Sequence, residues 1–241
     1  MPSRPTDVRS LGLDPSLTGY GWAVHDSSAQ PSRRRVASGH EETLPEHVPV
    51  ARFMHFRSLV RDLLQRFEVD VVGIESPAYG GGPFAETHFG LMMFSLEAVF
   101  ESRKDCVMFD PTTVKLLATG KSNAGKLEMQ KSVQLDTVDP SMIDGNEADA
   151  YCVAKSAARF MGLVRGSVKA EDLSQHERHV FLDRQKRRKN ASGGTSTVRS
   201  AHLFRENKRF FAFSRVPEGN VCLPDKSKIR PELLLWLEGK E

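Results

Sequence analysis

Apolar residues alternate with small and polar ones from Val8 to Leu13 and the run stops at a carboxylate, Asp14. That pattern predicts a buried first strand, Val8–Asp14, followed by a tight turn over Pro15–Thr18 and a returning strand over Gly19–His25. A third strand is expected within Arg35–Thr43. From Val50 to Phe67 the spacing changes. Phe53, Phe56, Leu59, Val60, Leu63, Leu64 and Phe67 recur at helical intervals, which predicts an amphipathic helix. Asp70–Glu75 is nearly all apolar, as a central strand buried on both faces should be, and it too ends in an acid. A glycine-rich loop, Tyr79–Pro83, leads into a helix over Glu86–Ser102 with Phe89, Met92, Met93, Leu96, Val99 and Phe100 on one stripe.

Cys106–Phe109 reads as another short strand. Asp110-Pro111 has the cap-then-proline order that opens a helix, here through Thr119. Further helices are expected over Lys126–Thr137 and Asn146–Met161, the second rich in small residues suited to close packing on a sheet. A hairpin, a third strand and then helices alternating with strands predict an α/β domain: a mixed five-stranded sheet flanked by helices. Residues 1–164 hold that domain and 165–241 form a C-terminal extension. Within the extension, Arg184–Lys189 followed by Asn190–Ser196 reads as a flexible basic linker, Val198–Phe213 as a strand or two, and Pro231–Leu237 as a closing helical turn.

Charge sharpens the division. Residues 1–164 carry 17 Lys and Arg against 21 Asp and Glu, whereas residues 165–241 carry 17 against 10. A mildly acidic body with a basic tail fits a polyanion partner as well as it fits a solvated surface. The three cysteines, Cys106, Cys152 and Cys222, are far apart and unpaired in pattern, against a disulfide framework or a cysteine zinc site. His176-Glu177-Arg178-His179 spaces its histidines too closely for a helical metalloprotease pair and reads as surface. The first residues lack an apolar run, and uncharged stretches fall far short of a membrane span, so a cytoplasmic protein with no membrane partner is expected.

Candidate chemistry rests on Asp14, Glu75 and Asp149: two acids at the ends of adjacent predicted strands and one near the start of a long helix. Taken one at a time, Asp14 could cap a turn, Glu75 could pair with an arginine, and Asp149 could complement a helix dipole. Converging on one sheet edge, they would repel one another unless a cation lay between them. Oxygen donors suit a hard divalent ion, Mg²⁺ or Mn²⁺, and paired ions of this kind serve phosphodiester displacement.

Four segments carry a family resemblance. Leu11–Gly21, with Asp14-Pro15-Ser16-Leu17-Thr18-Gly19 at its heart, resembles the opening motif of RuvC-type Holliday-junction resolvases, which have a ribonuclease H-like fold. Val72-Gly73-Ile74-Glu75 resembles their second acidic strand. Val114–Val133 resembles their basic segment and Asn146–Ala154 their final acidic helix; the wording of Ala118–Lys126 is most like phage-encoded members. The resemblance covers about Val8 to Phe160 and does not reach the extension.

It implies a crossover junction endodeoxyribonuclease, acting as a homodimer on four-way junctions and leaving 5′-phosphate and 3′-hydroxyl ends. Asp14, Glu75, Asp149 and Lys126 would be catalytic. Asp14, Glu75, Asn146 and Asp149 would ligate Mg²⁺, with Mn²⁺ as a substitute. Lys115, Lys121, Lys126, Lys131 and Tyr79 would contact DNA; Arg187 and Arg188 are expected to join them on the ground of charge alone, since they lie in the extension. Asn146 departs from the acid or histidine usual at its position; it is either a neutral ligand or a helix cap, with Asp144 as a rival for either part. Tyr79 is either a wedge into the junction or a packing residue. Other readings stay open: a junction-binding protein without cleavage, cutting of flaps or RNA–DNA hybrids, and an actin-like or sugar-kinase-type phosphotransferase built on Gly80-Gly81-Gly82.

Overall fold

Side-chain parity along the first strand decides the layering. In the computed structural model, β1 (Arg9–Asp14) turns Leu11 and Leu13 to one face and Ser10 and Gly12 to the other. Leu11 and Leu13 join a core beneath α1 (Pro49–Arg66) and α2 (Ala85–Glu101), with Phe56, Val60, Leu63, Leu91 and Leu96. The opposite face packs on α5 (Gly145–Arg165), α3 (Pro111–Thr119) and α4 (Lys126–Val133), where Val107, Phe109, Val114, Met129, Tyr151 and Phe160 are buried. The structure describes residues 7–16, 19–42, 48–77, 85–137 and 144–183, together with the backbone of strands at 186–189, 195–198, 201–205 and 209–212.

The five expected strands are present. β1 pairs antiparallel with β2 (Tyr20–Asp26), which pairs antiparallel with β3 (Arg35–Glu41). On its other side β1 runs parallel to β4 (Val71–Glu75), and β4 runs parallel to β5 (Asp105–Phe109). This is the mixed sheet of the ribonuclease H-like fold.

The extension departs from its reading as linker plus loose strands. Lys186–Lys189 (β6) and Thr195–Val198 (β7) pair as an antiparallel hairpin, so much of the expected linker is extended ladder. The main sheet also continues: β8 (Ala201–Arg205) pairs antiparallel with β5, and β9 (Arg209–Ala212) with β8, in the order β3-β2-β1-β4-β5-β8-β9. Before them, a short helix α6 (Gln175–Arg178) is tied to α5 by the ion pair of Arg159 with Glu177 at 2.8 Å. Leu173, Val180 and Phe181 are buried against the α5 core, and Phe181 meets Phe160 edge-on at 5.4 Å. Residues 79–83 and 231–237 lie outside the described residues. Among the described residues no helix is long and apolar enough to cross a membrane.

Candidate active site

β1 and β4 align in parallel with Gly12 opposite Gly73 and Leu13 opposite Ile74, so Asp14 and Glu75 end the two strands side by side. Parity sends both carboxylates to the face that carries α5. Gly12 lies beneath α5, and Asp14, two residues on, points the same way; Gly73 and Glu75 repeat the relation on β4. Asp149 stands in the second turn of α5, after its cap, and meets them there.

Charge interactions show that the three acids form one cluster. Burial, then the charge of Asp149, pushes the Asp14 carboxyl up to about 7, against a lowering pull from Lys126. Glu75 is held well above the ordinary carboxylate range by burial, then by Asp14 and Asp149, with Lys115 opposing. Asp149 is raised by burial, and Lys115 and Lys126 both counter the rise. Its Oδ1 is buried with no hydrogen-bond partner among the described residues. Three desolvated carboxylates, one with an orphaned oxygen, form an oxygen-donor set matched to a hard divalent cation. The residues present fit such an ion.

Lys126 opens α4 and lies exposed beside the start of α5; a Cβ on Gly145 would come within 3.3 Å of its Cδ and 3.7 Å of its Nζ. Lys115, in the middle of α3, is half-buried and acts on Glu75 and Asp149. Lys131 is exposed on α4. Lys121 is less available than its sequence position suggests, because its Nζ is 2.6 Å from Glu128 Oε1. Tyr79 lies outside the described residues, as do the side chains of Arg187 and Arg188, whose backbone belongs to β6.

Asn146 is not the helix cap. Asp144 takes that place, its Oδ1 accepting the Glu147 N–H at 2.8 Å. The Asn146 side chain lies over the β1–β2 turn, where a Cβ on Gly19 would approach its Nδ2 to 2.5 Å. A fourth acid, Asp110, occupies the N-cap position of α3 with Pro111 after it, as the sequence predicts, but its carboxylate is turned elsewhere. Its side chain makes no cap hydrogen bond to α3; it accepts from Ser76 Oγ at 3.4 Å, and its charge adds to the rise at Glu75. Its place at the end of β5, next to the strand carrying Glu75, was the available signal.

No protein-family model matches the chain. Curated relatives include the crossover junction endodeoxyribonuclease RuvC of Neorickettsia sennetsu, 24% identical over 159 residues, covering 63% of this chain and 93% of the relative. The RuvC of Rickettsia conorii is 26% identical over 147 residues, covering 60% and 92%. Among solved structures, Thermus thermophilus RuvC in complex with Holliday junction substrate superposes with a TM-score of 0.55 at 22% identity, covering 61% of this chain and 90% of that one. In its motifs and its sheet order the chain is similar to these RuvC proteins, and it carries the ribonuclease H-like fold.

Proposed function

We propose that this protein is a divalent-metal-dependent endonuclease that resolves four-way DNA junctions by paired nicks. The observation that carries the reading is the convergence of Asp14, Glu75 and Asp149 into one desolvated cluster with an unsatisfied Asp149 oxygen. Asp14, Glu75 and Asp149, with the amide oxygen of Asn146, would hold the ions, Mg²⁺ by the hardness of the donors and Mn²⁺ as a substitute. When bound, such ions polarise a phosphodiester and favour ionisation of a nucleophilic water.

The chain's own groups supply the rest. The acids are preorganised by burial on rigid strand and helix ends, so little reorganisation is needed at the moment of reaction. Lys126 stands beside the cluster as the cation suited to developing charge on the phosphate. Lys115 offsets the acids from the α3 side and, with Lys131, extends a cationic approach for the backbone; Lys121 joins it by exchanging Glu128 for phosphate. Residues 1–164 carry the chemistry. The basic extension, including Arg187 and Arg188 on β6, adds contacts to branched DNA, as does Tyr79 in the segment after β4.

A homodimer suits a two-fold junction. It is supported by Phe89 and Met93, one turn apart on α2 and 55% and 46% exposed, and by Met54 of α1, in the same helical layer, 47% exposed.

The deciding experiment is cleavage of labelled junction, flap, duplex and hybrid substrates in Mg²⁺, Mn²⁺ or EDTA, with Asp149→Asn as control. Symmetric junction nicks that require metal and vanish in the variant are expected. Binding without cleavage in any metal would instead make this a junction-binding protein.

A further inference from the structure

A second group of ligand-type side chains lies on the other side of the first turn of α5. His40 on β3 stands opposite Gly21 of β2. A Cβ on Gly21 would lie 2.3 Å from the Asn146 carbonyl oxygen, so the start of α5 rests directly on β2 and comes within reach of the neighbouring strand. There the Nδ1 of His40 is 2.8 Å from Asp144 Oδ2 and 3.8 Å from Glu147 Oε1. One donor atom from each of the three residues falls within 4.8 Å of the other two.

We propose that His40, Asp144 and Glu147 form a binding site for a Zn²⁺-like transition-metal cation, separate from the all-oxygen acid cluster. The donor set, one imidazole nitrogen and two carboxylate oxygens, matches zinc and cobalt better than magnesium. In a tetrahedral site with bonds of roughly 2.0–2.2 Å, ligand atoms stand about 3.3–3.6 Å apart, so closure needs only small adjustments. A fourth position is left for solvent.

The surrounding contacts orient the ligands. Each carboxylate has one oxygen engaged by the protein and the other turned toward His40. Asp144 Oδ1 accepts the Glu147 N–H, and Glu147 Oε2 accepts the Ser38 hydroxyl, which is itself held by Arg35 Nη1 at 2.7 Å. The far side of the imidazole also faces an acid, with Nε2 3.7 Å from Glu42 Oε1. A carboxylate behind a metal-binding histidine is a recurrent outer-sphere partner that fixes the ring. The helix dipole at the start of α5 opposes a cation, which makes the two carboxylates decisive. A bound ion would pin β3 to the turn that carries Asn146 and leads into Asp149.

Isothermal titration with Zn²⁺ and visible spectroscopy with Co²⁺ test the site in the full chain carrying Asp14→Asn and Glu75→Gln, which disables the acid cluster. One equivalent of Zn²⁺, a rise in melting temperature on binding, and Co²⁺ bands of four-coordinate intensity are expected. Adding His40→Ala or Glu147→Gln should weaken binding by at least about 10-fold. His40→Cys should retain the ion and add a sulfur-to-cobalt charge-transfer band, which no merely structural role for His40 produces. Loss of all Zn²⁺ binding in the parent double variant overturns the proposal, as does affinity that His40→Ala leaves unchanged.

Discussion

Asp14 and Asp149 interact across the contact between β1 and α5: burial of Asp14, reinforced by the charge of Asp149, pushes the Asp14 carboxyl up to about 7 from 3.8. An acid whose folded value is raised binds its proton more tightly in the native state than in the unfolded one. The stability linked to that proton is complete below about pH 4 and is lost as pH climbs through 7. In EDTA the wild-type protein should therefore lose up to about 4 kcal/mol of this contribution by pH 8, a ceiling set by the rise from 3.8 to about 7. Asp14→Asn should match wild type near pH 4 and surpass it near pH 8. Thermal melts across that range, in EDTA, check the crossover. Equal pH profiles would show that Asp14 is solvated.

Asn146 should set the metal requirement. It lies three residues before Asp149 on the same helix, so the two share a face, and its amide oxygen brings a ligand without a charge. Asn146→Asp should lower the Mg²⁺ concentration for half-maximal junction cleavage by roughly 10-fold, and Asn146→Ala should raise it, about 1.4 kcal/mol being a tenfold change. Because Asp144 already caps α5, neither change should unfold the helix. Metal titrations of cleavage give the answer, and an unchanged midpoint in both variants removes Asn146 from the coordination sphere.

Sequence makes the sheet and the three acids visible because both depend on local pattern. That β1 and β4 are strands ending in Asp14 and Glu75 is legible locally; that the two acids share a face comes from the parallel register that sets Gly12 opposite Gly73. What stays hidden depends on partners far away in the chain. Arg184–Ser196 has no apolar alternation and is full of Lys, Arg, Gly and Ser, so the backbone ladder that pairs 186–189 with 195–198 leaves no trace in the pattern. The pairing of β8 with β5 joins Cys106 to Phe204, a separation no periodicity encodes. Asp110 reads as a cap because an acid before a proline is the ordinary sign of one, yet its side chain turns to Ser76. His40 sits in a strand with little apolar signal, and only the seating of α5 on Gly21 brings it near Asp144.

The segment after α5 should prove part of the α5 core up to Asp183, and beyond it should add charge as well as the strands β8 and β9 that cover the β5 edge. Leu173, Val180 and Phe181 are buried on the α5 core, and each such side chain contributes about 1.5–3 kcal/mol. Phe181→Ala should cost about 3–5 kcal/mol in urea unfolding. Truncation after Gly166 should approach the full stability of a domain, about 5–15 kcal/mol. Truncation after Asp183 spares those contacts but removes 14 Lys and Arg against 6 Asp and Glu. Junction affinity measured against salt should then show a shallower slope. An unchanged slope would assign the extension to something other than DNA.

The α2 face should hold two copies together. Phe89→Glu with Met93→Glu places charge on exposed apolar surface, so it should leave the melting temperature within a few degrees of wild type. Light scattering should report a monomer, and paired nicking of one junction should give way to single nicks. A dimer that survives both substitutions moves the interface elsewhere.

The glycines beneath α5 have a mechanical consequence. A Cβ on Gly12 would stand 2.0 Å from the Ala150 carbonyl oxygen, one on Gly21 2.3 Å from that of Asn146, and one on Gly73 2.9 Å from that of Val153. On β1 and β2 the helix backbone therefore meets the strand directly, and on β4 it meets it through both the main chain and the side chains of Val153 and Ala157. The main-chain positions that carry Asp149, Asp14 and Glu75 are then stiffly held relative to one another by backbone shape. Mutational drift in the surrounding core can change how long the protein stays folded while leaving the spacing of its acids nearly untouched. A single methyl group added at Gly12 would do the reverse, tilting the whole helix and spreading the cluster at one stroke.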